Sequence, residues 1–422
     1  MTESNQTAGP VLSADGRPLK VSLARALRRQ KLRALALIAP LLLFVLITFI
    51  APIADMLFRS VENDIVAQTL PNTVAALADW DPAAGELPPE AAFAAMVEDL
   101  KEARKAKTHT KVGQRLNYDQ PGISSAFRKT ARRVKRMNEA PFKPQLIKAD
   151  KKWGDLKTWT VIKRLSPPVT DGYFLAAVDL TRNAEGDIVA KSEDEQIYIL
   201  LFQRTLILSL VITFSTLLLG YPIAYLLATL PLRTSNLLLI LVLLPFWTSL
   251  LVRTTSWIVL LQQQGVVNDL LVWVGLVDDG NRLQLIFNQT GTIIAMTQIL
   301  LPFMILPTYS VMKTISPSYV RAARSLGATP WTAFWRVYFP NSVPGISAGA
   351  ILVFILSIGY YITPELVGGT SGTFISNRIA YHISSSLNWG LAAALGVLLL
   401  AAVLILYFVY DKIVGIDNVK LG

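Results

Sequence analysis

Long apolar runs constrain this chain more than any other feature. They cover residues 34–58, 197–230, 237–261, 292–312, 346–361 and 391–410. A helix needs about 20 apolar residues to cross the hydrocarbon core of a bilayer, and most of the runs meet that length. The 346–361 run is short, but residues 363–367 extend it. Backbone in hydrocarbon must satisfy its own hydrogen bonds, so such runs fold as helices. Pro40 and Pro52 are placed to kink the first run near its ends. Gly220 and Pro222 lie near one end of the second, Pro245 inside the third, and Pro302 and Pro307 inside the fourth. With 52% hydrophobic residues, 16% charged residues and a mean hydropathy of +0.44, the composition fits an integral membrane protein. The expected fold class is all-α, with six transmembrane helices.

Residues 1–33 are polar and become basic at Arg25, Arg28, Arg29, Lys31 and Arg33. A secretory signal also starts with positive charge. However, the 34–58 run is long enough to span and no small-residue cleavage site closes it, so it reads as a first helix entered from the cytoplasm. Residues 59–195 are different material: charged, punctuated by Asp81-Pro82, Leu87-Pro88-Pro89 and Pro121-Gly122, and without a spanning run. Residues 91–107 show helical spacing, with Phe93, Met96, Val97 and Leu100 on one side. Residues 124–137 predict a strongly basic helix carrying Arg128, Lys129, Arg132, Arg133, Lys135 and Arg136. Residues 153–165 and 173–180 have strand-like or mixed patterns, and Asn183-Ala184-Glu185-Gly186 reads as a turn. The region is expected to be a small domain inserted after the first helix. Its basic cluster suits a nucleic-acid patch or, the plainer reading and the one preferred, a solvated helix face.

Charge orients the helices. Arg233 lies in the loop at 231–236, Lys313, Arg321, Arg324 and Arg336 in or beside the segment 316–345, and Lys412 and Lys420 in the tail. All share a side with the basic N-terminus, which marks it as cytoplasmic. The opposite loops hold Asp269, Asp278, Asp279 and Glu365, with Arg282 and Arg378 as minority positives. Both termini are then cytoplasmic and residues 59–195 periplasmic or extracellular. Long domains translocate largely regardless of charge, so the basic insertion is a weak objection.

Catalysis is poorly provided for. The chain has no Cys, which excludes disulfides and thiolate chemistry, and its two histidines, His109 and His382, lie far apart in sequence. No Gly-x-x-x-x-Gly-Lys-Ser/Thr phosphate loop, catalytic triad or metal-ligand spacing is present. No catalytic, metal or cofactor role is expected of it.

The segment 316–345, SPSYVRAARSLGATPWTAFWRVYFPNSVPG, is polar, basic and aromatic between two apolar runs. Ser316 and Pro317 give a cap and a first helical residue, Gly327 a left-handed stop, and Thr329 with Pro330 a second start. Pro340 and Pro344 are expected to end the second helix. Ala322, Ala323 and Leu326 form a small apolar face, and Trp331, Phe334, Trp335 and Tyr338 a bulky one. On these signals alone it is an amphipathic loop. However, the string resembles the coupling-helix signature of ABC importer permeases, with Ala322, Ala323, Gly327, Ala328, Phe334, Pro340, Pro344 and Gly345 on the pattern. Arg321 stands where that pattern is usually acidic, so a contact with a basic ATPase group would be lost or reversed in sign. The resemblance implies an ATPase-coupling surface of Arg321, Ala322, Ala323, Leu326, Gly327, Ala328, Trp331, Phe334 and Pro340.

Residues 243–261, 301–323 and 359–369 look like the permeases of polyamine importers. The match covers the first helix and everything after about residue 196. It implies the type I ABC importer permease fold, with residues 1–33 as a cytoplasmic segment, 34–58 as the first helix, 59–195 as a periplasmic insertion and 196–415 as the core. It implies bacterial inner-membrane residence and a spermidine- or putrescine-like solute, with opines, amino-acid-like solutes or ferric ion as alternatives. The implied partners are an ATPase dimer holding ATP and Mg, a second and different permease, and a periplasmic binding protein. From another class, a membrane-anchored receptor or scaffold remains open. A cationic solute wants carboxylates and aromatic faces, which nominates Trp247, Trp257, Asp269, Tyr360 and Glu365, with Tyr361 nearby. For the aromatics the plainer reading is an interfacial belt or packing, and for Glu365 a solvated cap. Arg253, near mid-span, needs a partner or water, and its roles range from repelling cations to snorkelling.

Overall fold

The computed structural model describes residues 19–183 and 187–414, so three residues of the expected 183–186 turn, and Lys420, lie outside the described residues. Apart from a hairpin pairing Leu180–Arg182 antiparallel with Ile188–Ala190, the regular structure is helical. Five described helices are long and apolar enough to cross a membrane: Leu27–Arg59, Tyr198–Thr229, Gln289–Thr314, Pro330–Gly359 and Trp389–Lys412. A sixth crossing is made if the bent pair Leu232–Trp247 and Leu250–Leu260 counts as one span.

The chain divides into two units at Phe58/Arg59. The described residues of the first, 19–58, form one helix, with the apolar side chains from Leu27 on largely exposed, as suits a surface facing lipid. A π-helical turn, Leu46–Ile50, precedes Pro52. That wider turn gives the pyrrolidine ring room where it would otherwise strike a carbonyl four residues back. Pro40 lies inside the preceding α-helix, and the helix runs on from Leu27 to Arg59.

In the second unit, three helices pack as the centre: Tyr198–Thr229, Gln289–Thr314 and Phe339–Gly359. Their buried seam includes Leu208, Ile212, Met296, Leu300, Met304 and Val353. Lipid tails are as apolar as leucine, so helix association in a membrane rests on close packing rather than hydrophobic burial. Gly345 and Gly349, one turn apart, supply it. A Cβ on Gly345 would stand 2.8 Å from the Val311 Cβ, and one on Gly349 2.9 Å from the Met304 carbonyl oxygen.

Three expectations are corrected. The 237–261 run, expected as a span with Pro245 inside it, is broken, its two halves meeting at 95°. Pro245 sits in a 3-10 turn, Leu244–Trp247, and Ser249 caps a new helix by accepting from the Val252 N–H. The guanidinium of Arg253 fills the gap, donating to the carbonyls of Pro245 and of Thr248, the latter at 3.1 Å. Second, Pro340 and Pro344 do not end the helix begun at Pro330. It runs on to Gly359, because a π-helical turn at Phe334–Tyr338 absorbs Pro340 as the earlier one absorbs Pro52. Third, residues 153–165 are helical: Asp155 caps Leu156–Arg164, and the buried residues Thr158, Val161, Ile162 and Leu165 recur at helical spacing. Their β-branched composition imitates a strand, but packing overrides propensity. Of residues 173–180, most form the helix Gly172–Ala177 and only the end enters the hairpin.

Residues 66–165 hold their own helical core, including Phe93, Met96, Leu100, Phe127, Trp153 and Trp159. Phe93 and Trp159 have ring centroids 4.6 Å apart. Buried Asp99 accepts from the Thr73 N–H at 2.7 Å, capping Pro71–Ala76 although it lies 26 residues away.

Candidate functional site

The segment 316–345 builds itself by local rules. The Ser316 side chain accepts from the Ser318 N–H, Pro317 takes the first turn, and the helix Pro317–Ser325 follows. Gly327 adopts φ +90, with open space around its Cβ position, so it is needed there for its backbone and not for room. Thr329 then caps the second helix through the Thr332 N–H. Arg321, Ala322, Leu326, Gly327, Trp331 and Pro340 are exposed, whereas Ala323, Ala328 and Phe334 are half-buried. Leu326 is 90% and Trp331 71% exposed. Two large apolar groups left so open on a short polar segment form a surface made to be covered.

Beneath that surface lies an aromatic latch. Tyr225 meets the rings of Tyr338 and Phe334 at 5.1 and 5.7 Å, and Tyr221 meets Phe339 at 5.8 Å. The Tyr221 hydroxyl is 3.2 Å from Ser342 Oγ. Lys313 donates to the Ala228 carbonyl at 3.4 Å. Tyr221 and Tyr225 were missing from the sequence candidates, although their i, i+4 spacing near the end of an apolar run is a readable sign of a shared face. The helix from Pro330 to Gly359 is continuous, so the exposed segment and the central bundle share one helix.

The other end of Tyr198–Thr229 carries the insertion. Asp179 Oδ1 accepts from the N–H groups of Ile197 and Tyr198, both at 3.1 Å, and Oδ2 from that of Ile199 at 2.8 Å. A buried carboxylate thus caps the positive end of the helix dipole. Tyr118 and Gln114 donate to the Ser386 carbonyl, Gln114 at 3.1 Å. His382, bonded to the Tyr198 hydroxyl at 2.9 Å and to Ser386 Oγ at 2.8 Å, is pushed down to about 4 by burial first, then by Arg378 and Lys191. It lies in Ile375–Ser384, outside the spanning helices. Tyr173 packs on Gly390, where any Cβ would fall 2.3 Å from the ring. At ~1.5 Å per residue, Tyr198 and Tyr225 are about 40 Å apart, so the insertion and the exposed elbow occupy opposite ends of one helix.

The five solute candidates do not form one cluster. Trp247 is exposed at the 95° break. Trp257 is half-buried and donates to Gln298 Oε1 at 3.2 Å. Asp269 is ion-paired with Arg282 at 2.7 Å, and Arg282 also pairs with Asp279. Tyr360 and Glu365 flank the break between Phe339–Gly359 and Ile362–Val367. Asn377 Nδ2 joins that region, donating to Glu365 Oε2 at 2.6 Å and to the Tyr361 carbonyl at 2.9 Å. The Trp257 helix reaches the same short helix through Thr254 and Thr363, whose hydroxyls are 3.3 Å apart. The result is a polar seam of Gln298, Thr254, Thr363, Glu365 and Asn377. Only Glu365 was legible beforehand, since single hydroxyl or amide side chains in apolar runs carry no positional signal.

A family model described as binding-protein-dependent transport system inner membrane component matches residues 201–414. Over 228 residues the chain is 33% identical to the spermidine/putrescine transport system permease protein PotB of Salmonella typhimurium, covering 54% of this chain and 79% of that one. It is 32% identical over 224 residues to the inner membrane ABC transporter permease protein YdcU of Escherichia coli, covering 50% and 70%. Among solved structures, a bacterial ABC transporter involved in the import of the acidic polysaccharide alginate aligns at 21% identity and TM-score 0.42, covering 55% of this chain and 81% of that chain.

Proposed function

Because the chain belongs to the family of binding-protein-dependent transport inner membrane components, and is a permease of an ABC-type importer, we propose that its solute is a small polyamine-like cation moved inward. The observation that carries the coupling half of this reading is the exposed Leu326–Trp331 elbow on a helix that continues unbroken to Gly359. A groove on a separate ATPase that closes over the elbow tilts that helix, and the aromatic latch drags Tyr198–Thr229 with it. The coupling residues are those named from the sequence, joined by Tyr221 and Tyr225 beneath them.

The solute half rests on the polar seam. Glu365, exposed and held by Asn377, supplies the negative charge, and Trp257 and Tyr360 the aromatic faces, which is what a flexible diamine or triamine needs as it sheds water. Asp269, which shares Arg282 with Asp279, has a smaller part. The naming of the relative from Salmonella typhimurium as a spermidine/putrescine permease points the same way. The proposed orientation places both termini and the elbow in the cytoplasm and the insertion in the periplasm, following the distribution of Lys and Arg. The proposed assembly pairs this chain with a second, different permease, an ATPase dimer and a binding protein.

Uptake of labelled spermidine into proteoliposomes holding the assembled complex tests the reading. ATP-dependent uptake that drops at least about tenfold in Glu365→Gln, with ATP hydrolysis retained, is expected if the lost charge is worth one strong contact. Uptake of an uncharged solute in place of the polyamine would overturn the solute assignment while leaving the coupling intact.

A further inference from the structure

The insertion lies outside the residues matched by the family model, and it concentrates charge. Residues 101–164 contain 19 Lys and Arg against five Asp and Glu, an excess larger than the +11 of the whole chain. Six of these cations, Lys101, Arg104, Lys105, Arg128, Arg132 and Lys135, line a cleft beside Glu90–Lys105 and Ile123–Arg133. A hollow of about 240 Å³ is lined by Arg104, His109, Thr110, Arg128, Ala131 and Arg132. An adjoining one of about 330 Å³ shares Arg104 and adds Lys101, Lys105, Lys135 and Asn138. Neither lining contains a carboxylate.

The arrangement is more than a solvated face. Lys129, on the same helix, is ion-paired with Asp150 at 2.9 Å. Arg128, Arg132 and Lys135, spaced i, i+4, i+7 on the side toward the hollows, have no ion pair among the described residues. Arg104 is fixed between the helices, donating to the Ala131 carbonyl at 2.7 Å and to that of Arg132 at 3.2 Å. Like charges held together on two facing helices repel unless something neutralises them. Guanidinium forks match oxyanions bidentately. A single carboxylate offers two oxygens and one charge, too few for this set. Volumes of about 240 and 330 Å³ sit at the small end of ligand pockets, which favours a compact multivalent anion.

We infer that this cleft binds a phosphate-bearing anion, either a free polyphosphate-type species or a phospholipid headgroup. Tripolyphosphate titrated calorimetrically into the full chain in phosphatidylcholine nanodiscs should give a saturable one-site isotherm that weakens as salt is added. Arg128→Gln with Arg132→Gln should weaken it about tenfold or more, and Lys129→Gln by less than about twofold. Lys135→Gln alone, at an exposed position, gives a milder loss in a variant certain to leave the core alone, and buried Trp153 and Trp159 report folding by fluorescence. If tripolyphosphate does not bind but vesicles with phosphatidic acid do, and the double variant abolishes this, the ligand is a headgroup. Failure of both probes to bind the folded protein, or equal weakening by Lys129→Gln, would overturn the site.

Discussion

Asp179 shows how much one side chain can hold. It adopts φ +58, is buried, and satisfies three N–H groups at the start of Tyr198–Thr229. Asp179→Ala loses the cap and leaves in left-handed backbone a residue without the polar side chain that eases it. A loss of about 2 kcal/mol is expected in thermal unfolding, with Asp179→Asn, which tolerates that backbone, losing less. His382 gives a pH dependence whose sign is fixed by its environment. Free imidazole titrates near 6.5 and His382 at about 4, so between those values the folded protein binds fewer protons than the unfolded one. The stability this contributes is fully present above about pH 6.5 and is lost as pH falls toward 4. Melting temperature recorded from pH 7 down to 5 should therefore fall less steeply in His382→Gln. Arg253 is a third case: one guanidinium nitrogen serves backbone carbonyls at the Pro245 break, while its Nε is buried without a partner.

Helices and turns carry the mechanical claims. Gly345 and Gly349 set the distance between Gln289–Thr314 and Phe339–Gly359. Gly349→Val should cost about 1–3 kcal/mol and lower the yield of folded protein on size-exclusion chromatography. Gly396→Val, in a helix position with nothing within 4 Å of the added Cβ, serves as the control and should behave as the parent. Gly327 differs again. Its surroundings are open, so Gly327→Val brings backbone strain of about 1–2 kcal/mol confined to the elbow. Uptake should fall while the fold and ATPase-independent properties persist. Full uptake in that variant would show that the elbow is not the coupling element.

At the scale of the molecule, the insertion is tied to the bundle through Asp179, Tyr173, Tyr118 and Gln114, about 40 Å along one helix from the elbow. Force applied to the insertion is therefore delivered to the ends of Tyr198–Thr229, Ile375–Ser384 and Trp389–Val414. Gly390→Val, which drives a Cβ into Tyr173, should loosen that joint. Binding-protein-stimulated ATP hydrolysis by the assembled complex is expected to drop severalfold, while fluorescence of Trp153 and Trp159 shows the insertion core intact. Unaltered stimulation would mean that the joint is passive.

What the sequence determined by itself were the features governed by neighbours along the chain. Apolar length gave the spans, because hydrocarbon admits only backbone that satisfies itself. Ser316, Gly327 and Thr329 gave the elbow, because caps and left-handed stops act within one turn. Tertiary structure decided the rest. Pro340 and Pro344 read as stops, yet a π-helical turn accommodates Pro340 and the helix carries Pro344 inside it, and Pro245 breaks its run at 95° with Arg253 bridging the break. The latch of Tyr221 and Tyr225, the joint at Asp179 and the polar seam of Thr254, Thr363 and Asn377 each join residues far apart in the chain. Pattern along one helix shows which face is apolar, but only packing in three dimensions selects the partner that face will meet.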